Sequence, residues 1–434
     1  MRKFSVWLAL VLVALPSMAH ALDLRGDSTT ILRLEQRDNP GFAKKDVYPA
    51  TEFFRADLGN LGNDALSFHT AGWGRLDLAD RSTGEGDGDG DLSYAYLLYR
   101  TPKANGQIKF GRFYVYEGVA AEQLDGVAAR VDLPAGFTVS TFLGTPAWLE
   151  KTNNSSDALV GGRASYRLPS FLEIGISTLY ENNVKTGATP DSTNYRGLFG
   201  GDIWFKPCKT FELRGHTHYN YATGGLAEHS YRAAFTPIRS LMIVAEYNQD
   251  HFKDLFASSN LKSIFNPDSG DEVQSYGATV TYAINKAVDV SADFKRFNRD
   301  SSDPANAGDS NRYGGEVRVA LLGNKSRSGL SYHRSEGDSS FNNSYHEIRG
   351  YTMYDADRFI ASADAIGHFY RENINTRKDD FELIGSMGYK FKPGLVLSGD
   401  LSYGQNPRSN DDLRGLLRLA YNFNFNYENK GAKK

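Results

Sequence analysis

In the stretch Leu417-Arg-Leu-Ala-Tyr-Asn-Phe-Asn-Phe-Asn-Tyr427, side chains of two kinds alternate strictly. The odd-numbered positions are all apolar or aromatic, and the even-numbered ones are small or polar: Arg418, Ala420, Asn422, Asn424 and Asn426. Successive side chains of a β-strand point to opposite faces, so one face of this strand suits lipid and the other suits water. Since backbone groups in lipid must all be paired internally, a strand of this kind requires a closed β-barrel.

The same alternation recurs along the chain in residues 211–218, 288–295 and 313–321. Short connections rich in Pro, Gly, Asn and Asp, the residues that tight turns require, separate such runs. The short connections are Gly59–Asp64, Thr101–Gly106, Pro134–Gly136, Pro169–Ser170, Pro207–Lys209, Pro237–Arg239, Asn285–Lys286, Gly323–Lys325, Asp355–Asp357 and Lys392–Gly394. The longer ones are Asp38–Pro49, Asp80–Gly90, Thr145–Asp157, Asn182–Thr193, Gln249–Asp271 and Asn298–Asn311, with shorter members at Tyr114–Glu122, Asn220–Ala227, Ser335–Asn342, Arg371–Asp380 and Gly404–Asp412.

This regular exchange of short and long connections predicts an all-β fold. The expected architecture is a transmembrane antiparallel up-and-down β-barrel of about 22 strands, with short periplasmic turns and long external loops. The first strand is expected near Thr29–Arg37 and the last at about 415–427, before a short polar tail at 428–434. The predicted location is the cell outer membrane of a Gram-negative bacterium.

Met1–Ala21 has the features of an export signal. Arg2 and Lys3 supply the positive start, Val6–Leu15 the apolar run, and Ala19-His20-Ala21 a small-x-small cleavage site. The predicted barrel domain is therefore 22–434. After the signal, no run approaches the roughly 18 consecutive apolar residues that a transmembrane helix needs.

Composition narrows the classes of partner and cofactor. A formal net charge of −3 implies no nucleic-acid partner, and the single cysteine, Cys208, excludes an internal disulfide framework and a C-x-x-C-H haem attachment within this chain. The last strand resembles the aromatic C-terminal strand by which outer-membrane proteins are recognised for insertion. This resemblance implies contact with the barrel-assembly machinery, and afterwards with outer-membrane lipid and lipopolysaccharide.

Phe110-Gly-Arg-Phe113 and the following stretch Tyr116–Val127 resemble bacterial porins. In porins a Gly-Arg strand, the third external loop and an Asp-Gly strand follow one another, and the third loop folds into the lumen and narrows it. The resemblance implies that Glu117 and Glu122 lie at a constriction and that Asp125 lies just inside. An ordinary solvated loop is the alternative.

Charged residues fall on the face of the predicted strands that looks into the lumen. Charged walls keep a pore wet and set its ion preference through their field. Positive and negative residues are nearly balanced in this set. The candidate pore residues taken from it are Arg75, Asp77, Arg214, Glu316, Arg318 and Arg418. Its other members are Arg196, Arg232, Lys295, Lys390, Glu173, Asp202, Glu212, Glu246, Asp289, Asp293, Glu382 and Asp400. Cross-strand pairing within the wall is the alternative role for many of them.

Two patterns suggest metal ions. Gly84-Glu-Gly-Asp-Gly-Asp-Gly-Asp91, in a predicted external loop, resembles the start of a calcium loop, so Asp87, Asp89 and Asp91 are candidate Ca²⁺ ligands. The run lacks the downstream bidentate Glu of such a loop, and a solvated loop is the alternative. His216 and His218 lie two apart on one strand face, a spacing that holds a metal if a third ligand approaches. No other cofactor is expected.

No enzyme motif such as Gly-x-Ser-x-Gly or His-Glu-x-x-His occurs, and the chain is not expected to be an enzyme. The favoured function is a porin for passive diffusion of ions and small hydrophilic solutes. The alternative is a haem-free sheath around a multihaem cytochrome, as in porin–cytochrome electron conduits. TonB-dependent transporters carry a plug domain before the first strand, and here the first predicted strand follows the cleavage site too closely for one.

Overall fold

The computed structural model describes residues 22–37, 45–61, 64–82, 86–147, 157–182, 195–252, 254, 272–300, 307–323, 325–337, 344–375, 377–407 and 409–427. The predicted export signal and the polar tail lie outside the described residues. No helix in the described ranges is long and apolar enough to cross a membrane.

The described chain is built from β-strands and one short 3-10 turn at Pro134–Gly136. The strands, in chain order, are β1 (Leu22–Arg37), β2 (Lys45–Val47), β3 (Pro49–Gly59), β4 (Leu66–Asp77), β5 (Gly88–Arg100), β6 (Gly106–Glu117), β7 (Ala120–Asp132), β8 (Phe137–Pro146), β9 (Leu159–Leu168), β10 (Leu172–Asn182), β11 (Tyr195–Cys208), β12 (Phe211–Asn220), β13 (Gly225–Ile238), β14 (Leu241–His251), β15 (Glu272–Ala283), β16 (Val288–Asp300), β17 (Gly308–Leu321), β18 (Ser326–Gly337), β19 (Tyr345–Asp355), β20 (Phe359–Ile374), β21 (Arg377–Lys392), β22 (Leu395–Asn406) and β23 (Ser409–Tyr427).

The strands form one closed antiparallel sheet. Each long strand pairs with its neighbours in the chain, and β1 closes the ring by pairing with both β3 and β23. The closing ladder runs in continuous register from the pair Leu22 and Tyr427 to the pair Glu35 and Arg414. The three-residue β2 only extends the far end of β1, so the wall has 22 strands, and the predicted barrel is confirmed.

The wall alternates as the sequence predicts, as β10 illustrates. Ile174 and Ile176 are exposed on the outside, whereas Ser177, Leu179 and Glu181 on the inner face are buried. The exposed outer side chains of other strands are likewise large and apolar, for example Leu330, Met387 and Leu401. An apolar outside suits the bilayer, and every strand finds both partners in the ring, so few backbone groups are left unpaired there.

Several strands are longer at the loop end than the sequence predicts, which corrects the predicted loops there. The connection expected at Tyr114–Glu122 is reduced to Gly118 and Val119, and those expected at 220–227, 371–380 and 404–412 shrink to turns of a few residues. Strands that emerge from the bilayer have water on both faces, so polar residues continue the ladder without penalty. Polarity therefore does not mark the ends of these strands.

The acidic glycine run is also corrected in position. It was predicted as part of an external loop, but Gly88–Asp91 form the start of β5, opposite Gly74–Leu76 and Trp73 of β4. Asp89 and Asp91 share the inner face of this strand, and the intervening glycine lies on the outer one.

Candidate functional site

One hairpin leaves the wall and folds into the lumen. β5 pairs with β6 only as far as Ala95 and Arg112, and β7 pairs with β8 only as far as Leu124 and Pro146. Beyond these points residues 113–123 have no ladder partner in β5 or β8 and pair only within the hairpin, and the Ala147 N–H just after β8 donates a hydrogen bond to the Gln123 carbonyl oxygen at 2.8 Å. We call residues 113–124 the inward arm.

The arm bends at a glycine pair. Gly111 and Gly126 lie opposite each other in the β6–β7 ladder, and Gly111 has a φ of +126°. A Cβ atom at Gly111 would lie 2.3 Å from the carbonyl oxygen of Ala95, so only glycine fits where the two backbones approach. Directly beyond the bend, the Arg112 guanidinium donates two hydrogen bonds to the Asp125 carboxylate, at 2.8 and 2.9 Å. A bidentate pair of this kind fixes orientation as well as distance.

Apolar packing holds the arm on the inner wall. Its buried residues are Phe113, Val115, Val119, Ala120 and Leu124. They pack against inward-facing side chains of β8 to β11, namely Phe142, Leu159, Leu179 and Leu198. All of these are at most 6% exposed. An apolar cluster inside an otherwise charged lumen is stable only because arm and wall cover each other.

The tip of the arm reaches the middle of the wall. The backbone N–H of Val119 donates a hydrogen bond to Ser177 Oγ at 3.0 Å, and Ser177 is the central residue of β10. Gly118 turns the chain with a φ of +61°, and a Cβ atom there would lie only 2.1 Å from Ser177 Oγ. The tip is therefore fitted closely to the wall.

A buried charge cluster fastens the second strand of the arm. Glu122 forms an ion pair with Arg196 of β11, whose other Nη atom lies 3.4 Å from Glu181 of β10. The Arg196 and Glu181 side chains are only 7% and 4% exposed. In such surroundings the removal of one partner leaves an uncompensated buried charge, which is strongly destabilising.

The other face of the arm looks into the open lumen. Tyr114 and Tyr116 stack on each other there, and Tyr116 is 75% exposed. Glu117 lies 3.9 Å from Arg130 of β7, beside a cavity of about 260 Å³ that Lys109 also lines. The passage beside the arm is thus lined by two phenol rings and by charges of both signs.

The structure places the predicted constriction residues on this arm or at its base. Glu117 and Glu122 lie on it, and Asp125 lies at its base. Sequence reasoning missed the positioning roles of Glu181 and Ser177 and gave Arg196 only a general place in the lumen wall. A sequence signal for the docking surface did exist, since apolar residues occupy inward positions in the four consecutive strands β8 to β11.

The other predicted pore residues do not converge with the arm. They lie on the inner wall in separate groups, on β4, β12, β17 and β23. Asp77 is buried beside Arg75 (3.8 Å), Arg318 pairs with Asp289 (2.5 Å) and lies near Glu316 (3.9 Å), Arg418 pairs with Asp400 (3.8 Å), and Arg214 lies opposite Arg232 in the ladder. They form the charged lining of a wide lumen rather than one site.

The two sets of predicted metal ligands are arranged differently. Two of the aspartates lie beside different arginines, whereas a glutamate completes a trio of possible ligands with the two histidines. Asp87 pairs with Arg81 at 2.9 Å, and Asp91 lies 3.5 Å from Arg112. His216 and His218, in contrast, meet the Glu228 carboxylate of β13. Calcium binding by the aspartates stays a prediction.

A second histidine–carboxylate network crosses β16 to β21, and sequence reasoning missed it. His333 lies 2.9 Å from Asp293 and 3.4 Å from Glu347, whose second oxygen is 3.5 Å from His368. His368 in turn lies 2.6 Å from Asp380. These residues come from five strands, and only the closed register brings them to one height.

Neither a protein-family model nor a curated protein matches the sequence. Among solved structures, the siderophore receptor PirA of Pseudomonas aeruginosa gives a TM-score of 0.57 at 13% identity, over 92% of this chain and 80% of that one. A mutant of the ferric enterobactin receptor PfeA from the same organism gives 0.57 at 10% identity, again over 92% and 80%. The outer membrane protein OpdK of P. aeruginosa gives 0.48 at 10% identity, over 93% and 99%.

The chain has the fold of an outer-membrane β-barrel. At these identities the likeness to the two receptors concerns the fold alone. An apolar exterior around a charged interior places this barrel in the outer membrane, and the inward arm occupies part of its lumen.

Proposed function

We propose that the barrel forms a water-filled channel for passive diffusion of ions and small hydrophilic solutes, and that the inward arm sets its narrowest section. The observation that carries this proposal is a hairpin of the wall folded into the lumen and fixed there by the apolar cluster, the Val119–Ser177 hydrogen bond and the Arg196 ion pairs. The charged lining supports the same proposal, because such walls stay hydrated and act on ions through their field.

The sheath around a multihaem cytochrome is the alternative function. A partner of that kind needs the lumen for itself, whereas the arm occupies part of it down to the middle of β10. The arm therefore favours the channel. Haem absorbance in stoichiometric amount, in protein purified from its native membrane, would contradict the channel proposal.

The direct test removes the arm. Arg112 and Asp125 are partners in the β6–β7 ladder, so an Asn-Gly link between them replaces residues 113–124 with a two-residue hairpin turn. We expect single-channel conductance in planar bilayers to rise, and liposomes to admit larger sugars. The matched control replaces the Tyr221–Gly224 turn, at the same end of the barrel but outside the arm, with a turn of equal length, and should leave both values unchanged. Equal conductance with and without the arm would refute its role.

A further inference from the structure

A cluster of three metal-ligating side chains lies on the inner wall beside the arm. His216 and His218 are two residues apart in β12 and therefore share a face, and Glu228 of β13 is the ladder partner of His218. One ligand atom from each lies within 4.8 Å of the other two, and among the residues that the structure describes no second trio of His, Cys, Asp or Glu does so. The sequence spacing gave two possible ligands on one strand, and the neighbouring strand provides the third.

The distances suit a metal ion. His216 Nε2 lies 3.0 Å from one oxygen of Glu228, and His218 Nδ1 lies 3.2 Å from the other. In a tetrahedral site with bonds of about 2.0–2.1 Å, ligand atoms stand roughly 3.4 Å apart, so these two nitrogen–oxygen distances are within a few tenths of an ångström of the spacing that such a site needs.

Hydrogen bonding alone accounts less well for the arrangement. His216 Nε2 is buried, and its contact with Glu228 does not meet hydrogen-bond geometry, so this nitrogen has no hydrogen-bond partner within the described part of the chain. A bound ion is one explanation for a buried nitrogen without a hydrogen-bond partner. A metal ion would satisfy it directly.

The surroundings favour a cation and leave it a way in. Asp202 is the ladder partner of His216, and Asp250 is that of Glu228, so two further carboxylates border the cluster. Asp202 is partly neutralised by Arg163, at 2.5 Å. The three ligand side chains are 33%, 14% and 26% exposed for His216, His218 and Glu228, which gives an ion access from the lumen.

We propose that His216, His218 and Glu228 bind a divalent transition-metal ion of the class of Zn²⁺, Ni²⁺ and Cu²⁺. Imidazole with a carboxylate selects these ions over Ca²⁺ and Mg²⁺, which prefer ligand sets made of oxygen alone. The site adjoins the tip of the arm, because a Cβ atom at Gly200 would lie 2.5 Å from Val119 Cγ1 and 2.8 Å from His218 Cδ2. A bound ion would therefore add positive charge next to the arm.

The test is calorimetric titration of ZnCl₂ into the full-length barrel in detergent, after removal of metal with a chelator. We expect one saturable site per chain with micromolar or tighter affinity. The His216→Ala/His218→Ala variant and the isosteric Glu228→Gln variant should each bind at least tenfold more weakly. His333→Ala is the matched control, since it removes a lumen histidine that also lies between two carboxylates, and it should bind like the unmodified chain.

Two outcomes would overturn the proposal. One is the absence of saturable binding to the unmodified chain. The other is equal affinity in all variants, which would place the ion elsewhere on the barrel. Glu228→Gln preserves shape, so it keeps the test valid if the histidine variant does not fold. Because the measured quantity is binding, failure of this proposal leaves the proposed channel untouched, and failure of the channel leaves this one untouched.

Discussion

Gly118→Ala should release the inward arm from the wall. The added methyl group would lie 2.1 Å from Ser177 Oγ and 2.3 Å from Ser177 Cβ, whereas real Cβ contacts below 3.0 Å essentially do not occur. The tip must therefore retreat by about 0.9 Å or more, which weakens or breaks the hydrogen bond from the Val119 N–H to Ser177.

The change in docking free energy has two parts. Loss of one neutral hydrogen bond costs about 0.5–1.5 kcal/mol, and overpacking of a tight contact costs about 1–3 kcal/mol. The backbone strain of alanine at a positive φ does not contribute to the change in docking free energy, because the turn keeps this conformation whether the arm is docked or free. The expected shift of about 1.5–4.5 kcal/mol raises the released population at least about tenfold, since 1.4 kcal/mol corresponds to a factor of ten.

Thiol labelling measures this population. Leu179 of β10 is 0% exposed beneath the arm, and the chain has a single cysteine, Cys208, which is exposed. A Leu179→Cys/Cys208→Ser background therefore carries one reactive group that a maleimide reaches only when the arm opens. We expect Gly118→Ala to speed labelling at least tenfold.

Gly224→Ala is the matched control. Gly224 also has a positive φ, +77°, but a Cβ atom there meets nothing within 4 Å. It therefore reproduces the strain of a left-handed alanine without the collision, and it should label at the rate of the background. If Gly118→Ala and Gly224→Ala label at the same rate, the arm is not held by its fit to Ser177, and the reasoning fails.

Two further expectations concern stability. Arg196→Met leaves Glu122 and Glu181 without their cation and should lower the free energy of unfolding by about 3–5 kcal/mol in urea titrations of the barrel in lipid vesicles, whereas Arg418→Met, at an exposed pair 3.8 Å long, should change it by at most about 1 kcal/mol. Met387→Lys, on the outer face of β21, should destabilise the barrel by about 2–4 kcal/mol, whereas its inward neighbour Ser386→Lys should have a much smaller effect in the same assay. Equal effects within either pair would contradict the assigned burial or the assigned face.

The wall of the barrel could be predicted from the sequence because each strand carries its own signal. Alternation in residues 417–427 needs no knowledge of any other strand, and β23 contains this whole segment. The limits of strands were harder, since the ladder continues into water where polarity no longer marks the end. β1 therefore begins at Leu22 rather than near Thr29, and β5 includes Gly88–Asp91, the second half of the acidic glycine run.

The contacts of the lumen could be predicted only in part, because they join strands far apart in the sequence. The third-loop resemblance pointed to residues 116–127, but the partners Ser177 and Arg196 lie some 60 to 75 positions further on, with no local pattern to link them. The His216–His218 pair shows the same limit. Spacing along one strand supplied two ligands, and only the register of β12 with β13 supplied Glu228.

One feature of the sequence nevertheless indicates that the arm is docked on the wall. Phe142, Leu159, Leu179 and Leu198 stand at inward positions of four consecutive strands and together form one apolar patch on the inner wall. Each would lose about 1.5–3 kcal/mol if it faced a water-filled lumen instead of an apolar contact. A barrel with such a patch must cover it, and the chain covers it with Phe113, Val115, Val119 and Leu124. The apolar patch on the wall is therefore a reason to expect the arm to be docked in the resting barrel, independent of any resemblance to porins.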